Sequence, residues 1–454
     1  MKTYLKKFIP VVLAAAVITS PIALYATVDN FGGTFASVAS AAEAGYLVVT
    51  NFGDGTCWIN GFSKTGDVNK TGELVIPETL HDMTVTGINK NAFANCKELT
   101  KVTIPETVTT IEQSAFESCT GLEEIILPDS VTSIGSSAFK NCTNLKKVVM
   151  SDNVTSIGGT AFSNCTNLAD ITISKNLTSL GTKVFANTPY YDEANWENGL
   201  LYLDNYLIAT KKSVSGEVVI KDGTTLMVSG AFSDNTAITK VTIPGSLSVV
   251  SDNAFYCCSK LEEVVLLEGV KELGKNSFWN CPKLVKLTVP ASMEKITSGA
   301  FGNTRVKELH YTGTADQWVS IKFDSPTDNP LASAHTLYIN GEALTEAVIS
   351  VPVVNAYAFY DCDSLEKVTF TDSVVEIQKQ AFEYCSYLTE VNFGKNIKTI
   401  DYLAFGNCSR IEKVNTTATV DEWAQIDFYD WRSNPISYAK SLYINGELLE
   451  EAVF

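Results

Sequence analysis

The chain has 454 residues, of which 51 are acidic and 34 are basic, so its formal net charge is −17 at pH 7. This acidic balance favours solubility and disfavours nucleic acid and anionic membranes as partners. The sequence has three histidines and no H-E-x-x-H motif, EF-hand loop, phosphate-binding glycine loop or dinucleotide fingerprint. We therefore expect no enzymatic activity, no metal site and no cofactor.

Residues 1–41 have the features of a signal peptide. A basic segment with Lys2, Lys6 and Lys7 precedes a mostly apolar stretch. Ala39-Ser40-Ala41 fits a small-residue cleavage site, and Ser37-Val38-Ala39 is a second candidate. The alternative is an uncleaved membrane anchor, which Pro10, Pro21 and a marginal apolar length disfavour. Cleavage would leave 31 basic and 50 acidic residues, a net charge of −19. We expect a secreted or cell-surface protein with no transmembrane segment after cleavage.

Residues 42–72 precede the first regular segment, and we expect a small β-rich cap there. From residue 73 onward the sequence is dominated by a repeat of 23 residues, marked by a phenylalanine. This residue recurs in three blocks, at Phe93, Phe116, Phe139, Phe162 and Phe185, at Phe232, Phe255, Phe278 and Phe301, and at Phe359, Phe382 and Phe405. A unit this short cannot bury a core by itself, so the period predicts a solenoid of stacked coils.

Fixed residue types surround each phenylalanine, as the stretch AFESCTGLEEIILPDSVTSI from Ala115 to Ile134 shows. Counted from the phenylalanine, Asn is common at +2, Cys at +3 and Leu at +6, and apolar residues hold +9 and +11. The alternation at +8 to +11 predicts a short strand, and proline at +12 ends it. We expect short parallel strands on one face, irregular or 3-10 turns elsewhere, and insertions that contain β-hairpins.

Charges alternate in sign at the outward position +8 of successive coils. The predicted series are Glu73, Lys101, Glu124, Lys147 and Asp170, then Glu217, Lys240, Glu263, Lys286 and Glu308, and then Glu346, Lys367, Glu390, Lys413 and Glu451. Opposite charges on neighbouring strands stabilise a sheet and like charges destabilise it. We interpret this row as a self-neutralising structural ladder, and not as a binding site.

The repeated A-F-x-x-C-x-x-L-x-x-V-x-I-P-x-x-V-x-x-I pattern resembles that of the BspA-type leucine-rich repeat family of bacterial surface proteins. The resemblance covers about residues 73–454. It implies a leucine-rich repeat solenoid on a secreted or surface-attached protein, with proposed roles in adhesion to host matrix, mucosal or microbial surfaces. It supplies no catalytic residues. Three coils depart from the pattern, because Thr188, Asn235 and Thr304 replace the cysteine, and each of them borders an insertion.

Insertions interrupt the repeat at about residues 189–216, 312–345 and 416–450. In the first, GLLYLDNYLIAT predicts a hairpin that turns at Asp204-Asn205. The other two are copies 105 residues apart, and each contains LYINGE, whose Asn-Gly predicts a hairpin. We expect a short helix to begin at Trp318 and another at Trp423. The second copy is either a natural cap or the result of a shortened chain.

Nine of the eleven cysteines lie at the +3 position, and Cys57 and Cys257 are the exceptions. An exported chain invites a disulfide framework. We favour buried thiols, because Thr and Asn replace cysteine at this offset and an in-register ladder gives each cysteine two equivalent neighbours. An odd total also leaves at least one thiol without a partner inside the chain.

Large aromatic residues are concentrated in the insertions, and such residues are typical anchors of protein interfaces. The candidate binding residues are Tyr190, Tyr191, Trp196, Trp318, Trp423, Tyr429 and Trp431. Alternatively, these side chains pack the insertions onto the coils. The first functional hypothesis is a monomeric adhesion module for an extracellular protein or glycan. The others are a structural spacer without a ligand and an accessory module that binds glycans.

Overall fold

The structure is a computed structural model that describes residues 47–63, 72–439 and 441–449. The predicted signal peptide and Glu451 of the charge ladder therefore lie outside the described residues. The chain divides into two compact units, Met1–Trp196 and Glu197–Phe454, and each unit is described by itself.

The first unit contains two sheets. A parallel sheet has the order β12-β10-β8-β6-β3 and consists of β3 (Gly72–Val75), β6 (Leu99–Thr103), β8 (Glu124–Ile126), β10 (Lys147–Val149) and β12 (Asp170–Thr172). The second sheet has the order β1-β2-β5-β7-β9-β11-β13 and consists of β1 (Leu47–Asn51), β2 (Thr56–Phe62), β5 (Met83–Ile88), β7 (Thr110–Ile111), β9 (Ser133–Ile134), β11 (Ser156–Ile157) and β13 (Ser179–Leu180), with β4 (Thr79–Leu80) paired to β5. The antiparallel pair β1–β2 joins β5 through β2.

The second unit repeats this arrangement twice. Its long sheets have the orders β17-β19-β21-β23-β25-β27-β28 and β29-β31-β33-β35-β37-β38, built from β17 (Gly216–Val219), β19 (Ile238–Ile243), β21 (Glu263–Leu266), β23 (Lys286–Val289), β25 (Glu308–Tyr311), β27 (Leu337–Ile339), β28 (Glu342–Ala343), β29 (Glu346–Ile349), β31 (Lys367–Phe370), β33 (Glu390–Phe393), β35 (Lys413–Thr416), β37 (Ser441–Ile444) and β38 (Glu447–Leu448).

Short strands at the other side of each coil form two further sheets, β20-β22-β24-β26 and β30-β32-β34-β36. They consist of β20 (Val249–Val250), β22 (Glu272–Leu273), β24 (Lys295–Ile296), β26 (Lys322–Phe323), β30 (Val353–Val354), β32 (Glu376–Ile377), β34 (Thr399–Ile400) and β36 (Asp427–Phe428). The predicted hairpin of the first insertion is confirmed as β15 (Leu200–Leu203) and β16 (Tyr206–Thr210), and β16 pairs with β18 (Leu226–Met227). Strand β14 (Trp196–Glu197) lies at the division between the units.

Helices are few and short. The described α-helices are α1 (Ala315–Trp318), α2 (Leu331–Ala334) and α3 (Val420–Ala424), and the 3-10 helices are Pro189–Tyr191, Glu193–Asn195, Pro326–Asp328 and Pro435–Ser437. Thr314 and Thr419 cap α1 and α3 in complete capping boxes. The prediction that a helix begins at each tryptophan was wrong, because the capping threonine fixes the start and Trp318 ends its helix.

The repeat phenylalanines stack in continuous ladders within each unit. The ring centroids of Phe116 and Phe139 lie 5.2 Å apart at an interplanar angle of 5°, and those of Phe382 and Phe405 lie 5.1 Å apart at 3°. Each ring is buried between its neighbours, in the distance range that aromatic pairs prefer. These ladders and the parallel pairing confirm the predicted solenoid for each unit.

The charge ladder is confirmed within the described residues. Lys101 pairs in register with both Glu73 and Glu124, and the same alternation holds through the later strands. The predicted continuation from Lys413 to Glu451 was wrong, because the hairpin strand β37 comes next and places Ser441 opposite Lys413. An insertion can thus contribute a strand to the parallel sheet and end the row of alternating charges.

Left-handed backbone occurs at two fixed places in each coil, two residues before and two residues after the phenylalanine. Leu403 and Asn407 on either side of Phe405 are one example, with φ of 53° and 61°. The residues in this conformation are Asn91, Asn95, Ser114, Ser118, Ser137, Asn141, Thr160, Asn164, Lys183, Asn187, Asp234, Asn253, Cys257, Asn276, Asn280, Asn303, Tyr357, Asp361, Gln380, Tyr384, Leu403 and Asn407, with Gly230 and Gly299. Asparagine tolerates this conformation better than most residues do, which explains its frequency at +2.

The +3 cysteines donate hydrogen bonds to the carbonyl oxygen of the phenylalanine in the preceding coil. Seven such bonds span 3.0–3.2 Å, from Cys119, Cys142, Cys165, Cys258, Cys281, Cys385 and Cys408. All eleven cysteines lie among the described residues and all are thiols without a disulfide. The position therefore needs a small side chain that is buried and can donate one hydrogen bond.

In two coils beside insertions, a threonine at +3 bonds to the phenylalanine of its own coil. The position 26 residues after Phe185 is Lys211, so no cysteine of a following coil can donate to the Phe185 carbonyl. Instead, the Thr188 hydroxyl donates to that carbonyl at 2.7 Å, and Thr304 does the same for Phe301 at 2.7 Å. Thr188 and Thr304 thus satisfy a carbonyl that no following cysteine reaches, whereas the Phe405 coil keeps Cys408 although an insertion follows it.

Candidate functional site

The structure places two of the seven candidate aromatic residues in the core. Trp318 and Trp423 are 0% and 2% exposed, and their rings contact Tyr311 and Phe393. A helix of four or five residues is not stable alone, so a large buried ring attaches each helix to the coils. For these two tryptophans, the structure supports packing and not contact with a partner.

Three further candidates lie in the first insertion and are half-buried. The Trp196 Nε1–H donates to the Tyr191 carbonyl at 3.2 Å, and the two rings meet edge to face with centroids 5.7 Å apart. Burial raises the pKa of the Tyr191 hydroxyl to about 12. Tyr190 precedes this pair in a 3-10 helix. These side chains hold the insertion together and leave only part of their surface to solvent.

The remaining two candidates, Tyr429 and Trp431, are 66% and 68% exposed. Trp431 is the most exposed large apolar side chain among the described residues. The ring of Tyr429 lies edge to face on Tyr402, with centroids 5.2 Å apart. Tyr402 belongs to the preceding coil, so this ring contact packs the exposed segment of the insertion against that coil.

An arginine completes this cluster. The Arg432 guanidinium lies 5.4 Å from the centroid of the Tyr402 ring, and its Nη2–H donates to the Asp430 carboxylate at 2.6 Å. This hydrogen bond lowers the pKa of Asp430 and raises that of Arg432. The same carboxylate accepts the Arg432 backbone N–H at 2.9 Å, so Asp430 fixes both the turn and the arginine. We call Tyr402, Tyr429, Trp431 and Arg432 the aromatic site.

A buried carboxyl group lies near the aromatic site. Glu383 is 3% exposed, accepts hydrogen bonds from Gln380 and from Asn407, and interacts electrostatically with Arg432. Burial raises the pKa of Glu383, and the arginine charge acts in the opposite direction. Neighbouring Tyr384 is 42% exposed.

Sequence reasoning missed Tyr402, Asp430, Arg432 and Glu383 as members of this cluster. A signal was available in the two insertion copies. Asp324, Pro326 and Thr327 of the first copy occupy the positions of Tyr429, Trp431 and Arg432 in the second. The second copy therefore differs from the first by acquiring two aromatic residues and an arginine in a segment of four.

Two other surfaces among the described residues carry charges that pair with one another. The outward +8 row is neutralised by its own ion pairs, such as Lys240 to Glu263 at 3.3 Å. A groove of about 690 Å³ beside α1 is lined by charges that also pair with one another, Lys271 with Glu294 and Lys295 with Glu272. Exposed Val219 and Val348 stand singly at +10.

Two features are absent from the described residues. No group of three or more His, Cys, Asp or Glu side chains converges as a metal site would require. Within the same residues, the structure has no helix with the length and hydrophobicity needed to cross a bilayer.

Comparison with known proteins identifies the repeat. Residues 86–215, 209–325 and 345–446 match the model of the BspA type leucine rich repeat region, in six copies. No curated protein matches the sequence.

Similar solved structures are leucine-rich repeat proteins. A leucine rich cell surface protein from Faecalibacterium prausnitzii is 20% identical over 85% of this chain and 97% of its own, with a TM-score of 0.30. A leucine-rich repeat protein from Bacteroides ovatus is 20% identical over 88% of this chain and 98% of its own, with a TM-score of 0.29. The T. pallidum leucine rich repeat protein is 22% identical over 53% of this chain and 89% of its own, with a TM-score of 0.28. On the evidence of its repeat region, the chain belongs to the BspA-type leucine-rich repeat family.

Proposed function

We propose that this protein is a secreted or cell-surface adhesion module that binds another extracellular protein through its aromatic site and performs no catalysis. The observation that carries the proposal is the exposure of Tyr429 and Trp431 beside an arginine that is already held in place. Tyrosine, tryptophan and arginine are the residues most enriched in the energetic centres of protein interfaces. The signal-peptide features of residues 1–41 and the bacterial family support an extracellular location.

The arrangement of the aromatic site favours binding over a purely structural role. Tyr402 and Asp430 limit the motion of Tyr429 and Arg432, so little conformational entropy remains to be lost when a partner binds. A spacer without a ligand has no need of two exposed aromatic rings on one short segment. The aromatic residues of the first insertion and the buried tryptophans serve packing, and they are not part of the proposed surface.

A glycan ligand is the second candidate function. Exposed tyrosine and tryptophan rings can also stack on sugar rings, and Asp430, Arg432 and Asn407 would offer hydrogen bonds nearby. The enrichment of Tyr, Trp and Arg favours a protein, but both ligands would use the same rings.

Binding measurements on the mature chain separate these candidates. We would immobilise extracellular matrix and mucosal proteins on biolayer interferometry sensors and measure binding of the chain from solution. The same chain would be applied to a glycan array. We expect saturable binding to a protein, with at least a tenfold loss of affinity in Y429A/W431A. The matched control is Y387A, since Tyr387 is 46% exposed and packs on Arg410 outside the site.

Each outcome has a defined meaning. Equal protein binding by the wild type and Y429A/W431A would overturn the proposed site. Binding to glycans alone, with the same sensitivity to Y429A/W431A, would favour the second candidate. Unfolding midpoints of the variants, which we expect to match the wild type because both rings are exposed, show that the fold is retained.

A further inference from the structure

The first insertion covers only one of the two strands of the coil that follows it. Strand β16 of its hairpin pairs in parallel with β18, in register at Tyr206 and Leu226. On the other side of this coil, strand β17 (Gly216–Val219) pairs with β19 of the next coil. It is the first strand of its sheet, so its second edge has no partner strand. Because residues 72–439 are all described, this open edge lies within the chain and not at its end.

The hydrogen bonds of β17 show which of its backbone groups are free. The Ile220 N–H donates to the Thr242 carbonyl of the next coil at 3.1 Å. Backbone groups of successive strand residues point to opposite edges, so those of Glu217 and Val219 face away from β19. Within the described part of the chain, these groups have no hydrogen-bond partner on that edge. Unpaired groups of this kind are a template for an added strand.

A groove of about 430 Å³ lies beside this strand. The buried side chains of Leu200, Val214 and Val218 form its apolar part. The Tyr202 hydroxyl accepts the Lys221 backbone N–H at 3.1 Å, which fixes the tyrosine in the wall of the groove. The volume lies in the range of binding pockets in proteins, so the apolar side chains of an added strand have a place to pack.

The outward side chain at the end of β17 is also uncovered. Val219 is 67% exposed. Val265, at the same offset on β21, is half-buried between the neighbouring strands β19 and β23. A strand on the open edge would cover Val219 in the same way. The exposure of Val219 therefore follows from the missing neighbour.

The charge row specifies what an added strand must carry. In the described strands, charged residues that face each other in the +8 row always have opposite signs. Lys240, for example, lies between Glu217 and Glu263, whereas Glu217 has a charged neighbour on one side only. A residue added beside Glu217 must be basic to continue the alternation, since like charges in register repel. The next residue lies beside Val218 and points inward, so it must be apolar.

We propose that the open edge of β17 binds an extended segment of a partner protein as an added parallel strand, with a basic residue beside Glu217 and an apolar residue beside Val218. Main-chain hydrogen bonds supply the affinity, and the alternate side chains supply the specificity. Within this chain, Lys101-Val102-Thr103 of β6 pairs in this manner with Glu73-Leu74-Val75 of β3. The edge shares no residue with the aromatic site, so the two proposals can fail independently.

A synthetic peptide of residues 98–106 (ELTKVTIPE) tests this edge on the full chain. We expect saturable binding of the fluorescein-labelled peptide in fluorescence anisotropy, and an affinity about fivefold weaker or more for E217K. A peptide of the same composition in scrambled order should not bind. E268K is the matched control, because Glu268 is an exposed residue beyond β21, and it should bind the peptide as the wild type does.

Exchange of the two charges separates edge binding from a general electrostatic effect. The peptide with K101E should bind E217K about fivefold more tightly, or better, than it binds the wild type. V219P removes an N–H that faces the open edge and keeps the hydrogen bonds to β19, as edge strands tolerate proline. It should weaken the binding of both peptides while its unfolding midpoint matches that of the wild type.

Three results would overturn the proposal. The first is the absence of saturable binding of the original peptide to the wild type up to about 1 mM. The second is equal binding of that peptide by E217K and E268K, or no gain of the K101E peptide on E217K. The third is dimerisation of the wild-type chain in analytical ultracentrifugation that E217K abolishes, since the occupant would then be a second copy.

Discussion

The thiol of Cys142 donates a 3.2 Å hydrogen bond to the carbonyl oxygen of Phe116, which lies 26 residues earlier and one coil back. That carbonyl also accepts the backbone N–H of Cys119 at 3.2 Å. Both cysteines are fully buried. The +3 cysteine therefore links adjacent coils from a buried position.

Replacing Cys142 with alanine removes this hydrogen bond and leaves a small cavity. We expect C142A to lower the free energy of unfolding by about 1–2 kcal/mol, measured by urea denaturation. C257A is the control, because Cys257 is half-exposed and lies outside the ladder, and it should change the free energy by less than about 0.5 kcal/mol. Equal effects of the two substitutions would contradict the assigned role of the ladder thiol.

Buried thiols predict a loss of stability at alkaline pH. Burial raises the pKa of Cys119 and of Cys165 to about 12, from an ordinary value of 9.0. Between pH 9 and pH 12, these two thiols stay protonated in the folded chain, whereas in the unfolded chain they lose their protons. The free energy of unfolding is therefore unaffected by these thiols below pH 9. As the pH rises from 9 toward 12, it falls by about 1.4 kcal/mol per pH unit for each thiol.

Urea denaturation between pH 8 and pH 10.5 measures this dependence. We expect C165A to have a shallower fall in stability with rising pH than the wild type, by the contribution of one thiol. Identical slopes for the two proteins would show that Cys165 ionises alike in the folded and the unfolded chain.

The charge ladder predicts a salt-dependent cost when one sign is reversed. Lys240 lies in register between Glu217 and Glu263, so K240E places three carboxylates side by side. We expect a loss of about 1–2 kcal/mol at low ionic strength that shrinks in 0.5 M NaCl, measured by thermal unfolding. K240Q serves as the control with no repulsion and should lose less than half as much. A K240E variant as stable as the wild type at low salt would refute the ladder.

Left-handed backbone at Lys183 predicts a stabilising substitution. Lys183 has φ of 57° and an exposed side chain, and a side chain with a Cβ is disfavoured there by about 1–2 kcal/mol. Glycine relieves this strain, but it also raises the conformational entropy of the unfolded chain, which offsets part of the gain in stability. We expect K183G to stabilise the protein by about 0.5 kcal/mol and K175G, at an exposed position without positive φ, to destabilise it. Destabilisation by K183G comparable to that by K175G would mean that the strain is absent.

The sequence predicted the frame of the fold because every coil repeats the same buried positions. A strand slipped by one residue would expose Val102 and bury Lys101, so the register follows from the pattern alone. The Asn-Gly hairpins followed from local turn chemistry. By contrast, the left-handed positions before each phenylalanine are occupied by residues as different as Leu403, Lys183 and Asn91, and no residue type identifies them.

The candidate site could be predicted only in part. Trp318 and Trp431 are both insertion tryptophans, yet one is buried and the other exposed, because burial depends on which neighbours the fold brings to each ring. The contact of Tyr429 with Tyr402 joins residues 27 positions apart, and the approach of Arg432 to Glu383 joins residues 49 positions apart. Neither pair follows from the 23-residue period, because an insertion intervenes.

The central claim is that successive coils stack in register, and the distance between residues 217 and 308 tests it most directly. Spin labels are attached at E217C and E308C in a C257S background, in which the remaining thiols are buried, and the distance is measured by double electron–electron resonance. Four strand spacings of about 4.8 Å separate the two positions. We predict a single narrow peak between about 15 and 30 Å, allowing for the label linkers. A mean distance above about 40 Å, or a broad distribution without a peak, would contradict the stacked arrangement on which the fold and the aromatic site depend.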